Sequence, residues 1–171
     1  MSFIDAGRAG VVYAPGHFLA HEECTRKTTE IPQSMATTAS DGSKYVPMGK
    51  IFPSADANAV GIVYEDVDVS TGNMPGSVVY KGEVYEDRLA DAVDSYSTAT
   101  VPTGGNPAEL GLYERSGSAG SYVYTLTEDT SATEGKTYYQ YDGKIIPSAA
   151  KTALIAAGIT FVDDSVVTRP Y

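Results

Sequence analysis

The chain has no Trp, one Cys, two His, and 12 Lys and Arg against 22 Asp and Glu in 171 residues, a formal charge of −10. A lone Cys24 forms no internal disulfide and excludes zinc sites built from several cysteines. The cations are scattered, with only Arg26 and Lys27 adjacent, so nucleic acid is not an expected partner, since affinity for a phosphate backbone comes mostly from Lys and Arg. No apolar run approaches the roughly 20 residues of a membrane span. The opening MSFIDAGRAGVVYAPG lacks the basic and then apolar regions of a secretory leader, and synthesis in the cytoplasm is the expectation. No Gly-x-Ser-x-Gly elbow occurs, and Gly104-Gly105 precedes Asn106-Pro107, a turn, where a phosphate loop should open a helix. No catalytic residue and no cofactor is expected.

What is present is a β-rich composition: 42% hydrophobic residues, 17 Gly, 9 Pro and 13 Tyr. This is enough to bury a core in one domain of ordinary size, or in a smaller domain carrying an insertion. In residues 1–44, glycines, prolines and a Thr/Ser/Ala stretch interrupt every short apolar group, which reads as an extended arm, part of it lying on a partner or on the body of the protein because Val11, Val12, Tyr13, Phe18 and Leu19 are too apolar for a solvated tail. KYVPMGKIFP suits short edge strands broken by Pro and Gly. GIVYEDVDV alternates, with Ile62, Tyr64, Asp66 and Asp68 on one face and Val63, Glu65, Val67 and Val69 on the other. After the turn STGNMPG, SVVYKGEVYEDRL supplies a second strand antiparallel to it, with Gly82 as a bulge or close approach. A short helical turn is expected at 90–94 and a linker in SYSTATVPTGGNP. A Tyr-rich β pattern follows, broken at SGSAGS and EDTSATEGK. PSAAKTALIAAG is a helix, capped by Ser148 and ended by Gly158. ITFV is a strand and DDSVVTRPY a tail.

The stretch YVPMGKIFPSADANAVGIVYEDVDVSTGNMPGSVVYKGEVYEDRL, followed after an interruption by SAAKTALIAAGITFV, resembles the tailed-phage head decoration and head fibre proteins. The shared pattern runs from a Pro/Gly-broken opening through an Ala-Val-Gly-Ile strand, an acidic Asp-Val-Asp turn and a Gly-Glu-Val strand ending in Glu-Asp-Arg-Leu. It closes on an alanine-rich helix with Gly-Ile-x-Phe. The insert between these stretches also resembles the short Tyr-rich modules ending in Gly-Lys-Thr-Tyr-Tyr of structural proteins from phages of Gram-positive hosts.

The resemblance implies a mainly β (α+β) fold: an N-terminal capsid-binding arm at 1–44, a decoration domain at 45–96 plus 144–163 with one short C-terminal helix, an inserted Tyr-rich β module at 97–143, and a tail at 164–171. It implies a virion structural protein on the outer capsid surface, non-enzymatic and without a cofactor, bound to the major capsid protein as a homotrimer. Val11, Val12, Tyr13, Phe18 and Leu19 are the expected capsid contacts. Glu86, Asp87 and Arg88 are expected near the oligomer interface. The alternative is a head-displayed module that binds host cell-wall glycan.

Three constellations invite chemistry. His17 and His21 in HFLAHEEC would share a face of a helix, but Gly and Pro around them oppose a helix and no third ligand has metal-site spacing, so no metal is expected. Asp66, Asp68 and Ser70 open like a calcium loop, yet Thr71 stands where the sixth-position Gly belongs and Ser77 where the bidentate Glu belongs. They read as a solvated turn. Tyr122, Tyr124, Tyr138, Tyr139 and Tyr141 are either a sugar-stacking platform or the core of a small sheet. A module of about forty residues without Trp, Phe or Cys must bury something, at roughly 25 cal/mol per Å², and cross-strand tyrosines are what it has.

Overall fold

Pro, Gly and small polar loops cut most of the β-branched runs short, and among the described residues the result is 40% strand and 11% helical, a mainly β protein with one α-helix near the C-terminus. The computed structural model describes residues 14–162. They fall into two units: Asp94–Lys144, and a body formed by the chain on either side of it. Among the described residues no helix is long and apolar enough to cross a membrane.

In the body, β1 (Thr25–Ile31), β7 (Met74–Tyr85), β5 (Gly61–Val63) and β4 (Ile51–Phe52) lie side by side in that order, with β12 (Ile159–Val162) also on β7. All neighbours are antiparallel except β12, which runs parallel to β7 and sets Phe161 beside Val84. A smaller sheet orders β2 (Thr37–Thr38), β3 (Lys44–Val46) and β6 (Val67–Asp68). The central pairs Ile62–Val79 and Val63–Val78 feed opposite faces, because successive side chains of a strand alternate. Ile62 and Val79 join Phe18, Ile51, Val84, Leu154 and Ile159 in one cluster. Val63 and Val78 join Ile31, Val46, Val67 and Val69 in the other.

The helix α1 (Ser148–Ala157) packs Ala150 and Leu154 into the first cluster. Pro147, not Ser148, holds the N-cap position, and no side chain caps it. The Pro147 carbonyl already accepts the Lys151 N–H, so the helix starts one residue before the expected cap. Gly158 ends it in the left-handed conformation, its N–H donating to the carbonyls of Leu154 and Ile155.

Four expectations need correction. Residues 14–44 are not an arm: Thr25–Ile31 is a full-length partner of β7, and segment 14–22 is sewn to the body by Gly16 N–H to Tyr64 O (2.9 Å), Ala20 N–H to Glu83 O (2.8 Å) and Tyr85 N–H to Phe18 O (2.8 Å). Residues 1–13 and the tail at 164–171 lie outside the described residues. GIVYEDVDV is not one strand, because the chain leaves the sheet after Val63 and re-forms as β6 in the smaller sheet. The Asp66 carboxylate accepts the Met48 N–H at 2.7 Å across this bend. Residues 90–94 hold a turn, not a helix, and the expected linker begins with β8 (Val93–Ala99). The expectation for Gly82 holds in its close-approach form, since a Cβ there would stand 3.0 Å from that of Cys24; the register shift falls at Tyr80, between the partners of Thr25 and Arg26.

The insert orders β10 (Val123–Leu126), β9 (Tyr113–Ser116), β11 (Tyr138–Ile145) and β8 in one sheet. Its bounds are Asp94 and Lys144, against the expected 97 and 143.

Candidate functional site

Side-chain chemistry in the body concentrates around segment 14–24, whose turns replace the helix that a His17–His21 pair would need. A groove of about 460 Å³ lies here, lined by Pro15, His17, Leu19, His21, Cys24 and Tyr64 among others. His17 is half-buried, and burial first, then the Arg88 guanidinium, pulls its imidazole below the ordinary histidine range. His21 Nε2 stands 3.2 Å from Glu83 Oε2 on the exposed side. Among the described residues no three His, Cys, Asp or Glu side chains are grouped to hold a metal ion. The Arg26 guanidinium lies 4.0 Å from the centre of the Tyr64 ring, a stacked cation held against an aromatic face. The sequence marks Arg26 as an adjacent cation and Tyr64 on a strand face but does not pair them, because they are not neighbours along it.

The expected calcium-like opening is consumed locally. Asp68 Oδ1 accepts the Ser70 N–H at 2.9 Å, a side chain bonding its own turn, and Ser70 Oγ accepts the Lys44 N–H at 2.9 Å. Hydrogen bonds from the Ser70 hydroxyl first, then from its N–H, hold the Asp68 carboxyl below the usual range.

Of the expected capsid contacts, Val11, Val12 and Tyr13 lie outside the described residues. Phe18 is only 1% exposed and sits in the first cluster, so its ring meets the body's own core. Leu19 is half-buried and bridges Val84. Of the expected oligomer contacts, Glu86 is spent inside the chain, with Oε1 accepting the Ile146 N–H at 3.0 Å and Oε2 in an ion pair with Lys151. Arg88 stacks 4.0 Å over the Tyr85 ring. Asp87 is the one of the three that is exposed.

In the insert, the structure gathers Tyr124, Tyr139 and Tyr141 with Tyr96 and Tyr113. Tyr96 and Tyr124 stack with ring centres 3.9 Å apart, Tyr96 meets Tyr113 edge-on at 5.2 Å, and Tyr124 meets Tyr139 at 5.3 Å. This is a cross-strand aromatic core, and each such pair adds about 0.5–1.5 kcal/mol beyond its burial. Tyr96 belongs to it although its segment reads as a linker; the Tyr/Ser/Thr alternation of SYSTAT was the available signal. Tyr141 OH donates to Asp94 Oδ1 at 3.1 Å; partial burial first, then that bond, raises its phenol above the ordinary range.

Tyr138 is apart from this group. It is 3% exposed, and its hydroxyl donates to Asp129 Oδ2 at 2.6 Å. Lys136 joins the same network, bonded to Asp129 Oδ2 at 2.7 Å and Glu114 Oε1 at 2.8 Å. The Lys136 ammonium holds both carboxyls below their ordinary range, and they push its own affinity for the proton up. Tyr138 and Tyr139 are therefore unavailable as a sugar platform. Tyr122 and Tyr141 keep exposed rings, the former under Arg115 at 4.2 Å.

Comparison of the chain with protein-family models, with curated proteins and with solved structures finds no match.

Proposed function

We propose that the chain is a non-enzymatic virion structural protein, a head decoration or head fibre protein that binds the outer face of a phage capsid through the major capsid protein and stabilises or decorates the shell. The observation that supports this most is how the two stretches of resemblance meet. They are separated by the whole insert, yet β12 from the second pairs with β7 from the first, and α1 fills the core above them. The segments of the resemblance thus form one folding unit, as a shared domain requires.

Binding to the finished lattice and not to separated subunits favours the assembled state by mass action. A homotrimer multiplies weak contacts into a durable attachment. The capsid contacts are assigned to Val11, Val12 and Tyr13, since Phe18 is committed to the core. Quantitative composition of purified particles tests the reading: the protein is expected at a fixed ratio to the shell protein, and its absence from particles refutes it. Removal of residues 2–13, which spares β1, is expected to lower the copies bound.

A second reading, in which the insert binds host cell-wall glycan, rests on the exposed rings of Tyr122 and Tyr141. It predicts saturable binding of the full chain to cell walls that the double variant Tyr122→Ala and Tyr141→Ala loses.

A further inference from the structure

The edges of the two larger sheets are not equally protected. Natural edge strands avoid pairing with other chains by carrying charge, by being very short or by ending at proline. In the body, β1 carries Arg26, Lys27 and Glu30, while β4 has two residues and is followed by Pro53. In the insert, β8 carries Asp94. The strand β10 has neither charge nor proline and is twice the length of β4; β12 is equally bare, but of its residues only Thr160 is exposed. It lies at the end of its sheet, with no strand on its outer side among the described residues. It sits within 116–127, SGSAGSYVYTLT, which has no charged residue. Val123 is 56% exposed, Leu126 61% and Tyr122 42%.

We infer that the outer edge of β10 is an interface for a second copy of this chain, the two β10 strands pairing antiparallel about a two-fold axis. Self-complementarity argues for this occupant, as an isologous contact requires: exposed Tyr122 and Leu126 stand two residues either side of Tyr124, and the charge nearest the edge is the Arg115 guanidinium over the Tyr122 ring, not a carboxylate of these −10 chains. The backbone supplies the register. Thr127 N–H points inward, donating to Leu112 O at 2.9 Å, and backbone direction alternates along a strand. The N–H and C=O groups of Tyr122, Tyr124 and Leu126 therefore point outward.

A two-fold axis perpendicular to the sheet pairs residues of like parity, so an axis at Tyr124 sets Tyr122 of each copy opposite Leu126 of the other. Every outward N–H in that register meets an outward carbonyl, and two exposed apolar side chains cover one another, an aromatic–aliphatic pair. The contact is small beside the roughly 1,200 Å² of a stable interface, so it is weak between free chains and gains where copies are held close together.

Sedimentation velocity of the full chain over a concentration series tests this, and does so whether or not the protein binds a capsid. Reversible association is expected, and Leu126→Lys, at an exposed position that leaves the insert folded, should weaken it about tenfold because two symmetry-related pairs are lost at once. A second measurement fixes the register: Tyr122→Cys with Leu126→Cys, in a Cys24→Ala background, should give a disulfide-linked dimer on mild oxidation. Within one chain the two positions stand about 13 Å apart along the strand, too far to bridge. Association unchanged by Leu126→Lys, a chain monomeric throughout the series, or no cross-linked dimer overturns the proposal.

Discussion

Replacing Phe18 by Ala separates a core residue from a capsid contact. The ring is 1% exposed and packs with Ile51, Ile62, Val84 and Leu154 in the larger cluster. A buried Phe removes about 150–250 Å² from water, about 4–6 kcal/mol at 25 cal/mol per Å². Alanine retains part of that and the site collapses only partly, so Phe18→Ala should cost about 4 kcal/mol, within the 3–5 kcal/mol usual for such truncations. The Phe18 carbonyl also accepts the Tyr85 N–H, and a looser ring loosens that seam. Calorimetry should show the body's transition about 10–20 °C lower, with the insert's transition unmoved because its core contains no part of this cluster. A loss below about 1 kcal/mol, with capsid binding abolished, would refute the placement of Phe18 and restore it as a contact.

Three further outcomes follow from the same packing. Glu86→Ala should destabilise the body by about 2 kcal/mol in chemical denaturation, because it strands the Ile146 N–H as well as Lys151, whereas Lys151→Met, at a side chain 38% exposed, should cost less than about 1 kcal/mol. Gly61→Ala should cost about 1–3 kcal/mol, since the new Cβ would stand 2.6 Å from the Val79 carbonyl oxygen and from Val78 Cγ1, and backbone in the sheet centre cannot yield. In acid the insert should lose stability through its ion network. Glu114 and Asp129 have lowered pKa values when folded, so their contribution is present above their unfolded values and is lost as pH falls below about 4; calorimetry of Lys136→Met should show much of that dependence gone.

The middle of strand β7, the helix, the closing ITFV strand and the tyrosine-rich module were legible because each buries one face with regular spacing or collects one residue type, whereas β7 begins at Met74, inside the expected turn, and ends at Tyr85, with Glu86–Arg88 a 3-10 turn and not its last residues. The strand β1 was not. Of TRKTTEI only Ile31 is buried and Thr29 half-buried, so no alternation marks it, and its place beside β7 is decided by partners some fifty residues on. The GIVYEDVDV alternation assigned Ile62 and Val63 to their faces correctly but could not show that the chain changes sheets between them and Val67. Phe18 looked like a contact because a lone aromatic among Gly and Pro has no local reason to be buried; the seam to β7 supplies one. Glu86 and Arg88 were named as interface residues with the decoration-protein resemblance, and the Glu-Asp-Arg-Leu motif does not reveal that the partners of Glu86 and Arg88 lie within the chain.

The insert is joined to the body through β8 and β11, which are neighbours in its own sheet. A module whose first and last strands lie side by side can be added at one point of a chain without parting what flanks it. The body bears this out in its packing: Ala150, Leu154 and Ile159, all beyond the insert, share a cluster with Phe18, Ile51 and Ile62, all before it. Burial therefore ties the flanking segments together, while the insert carries its own aromatic core and its own ion network. Two folding units with separate cores are free to serve separate contacts, which is why an edge left uncharged in one of them carries meaning apart from whatever the other binds.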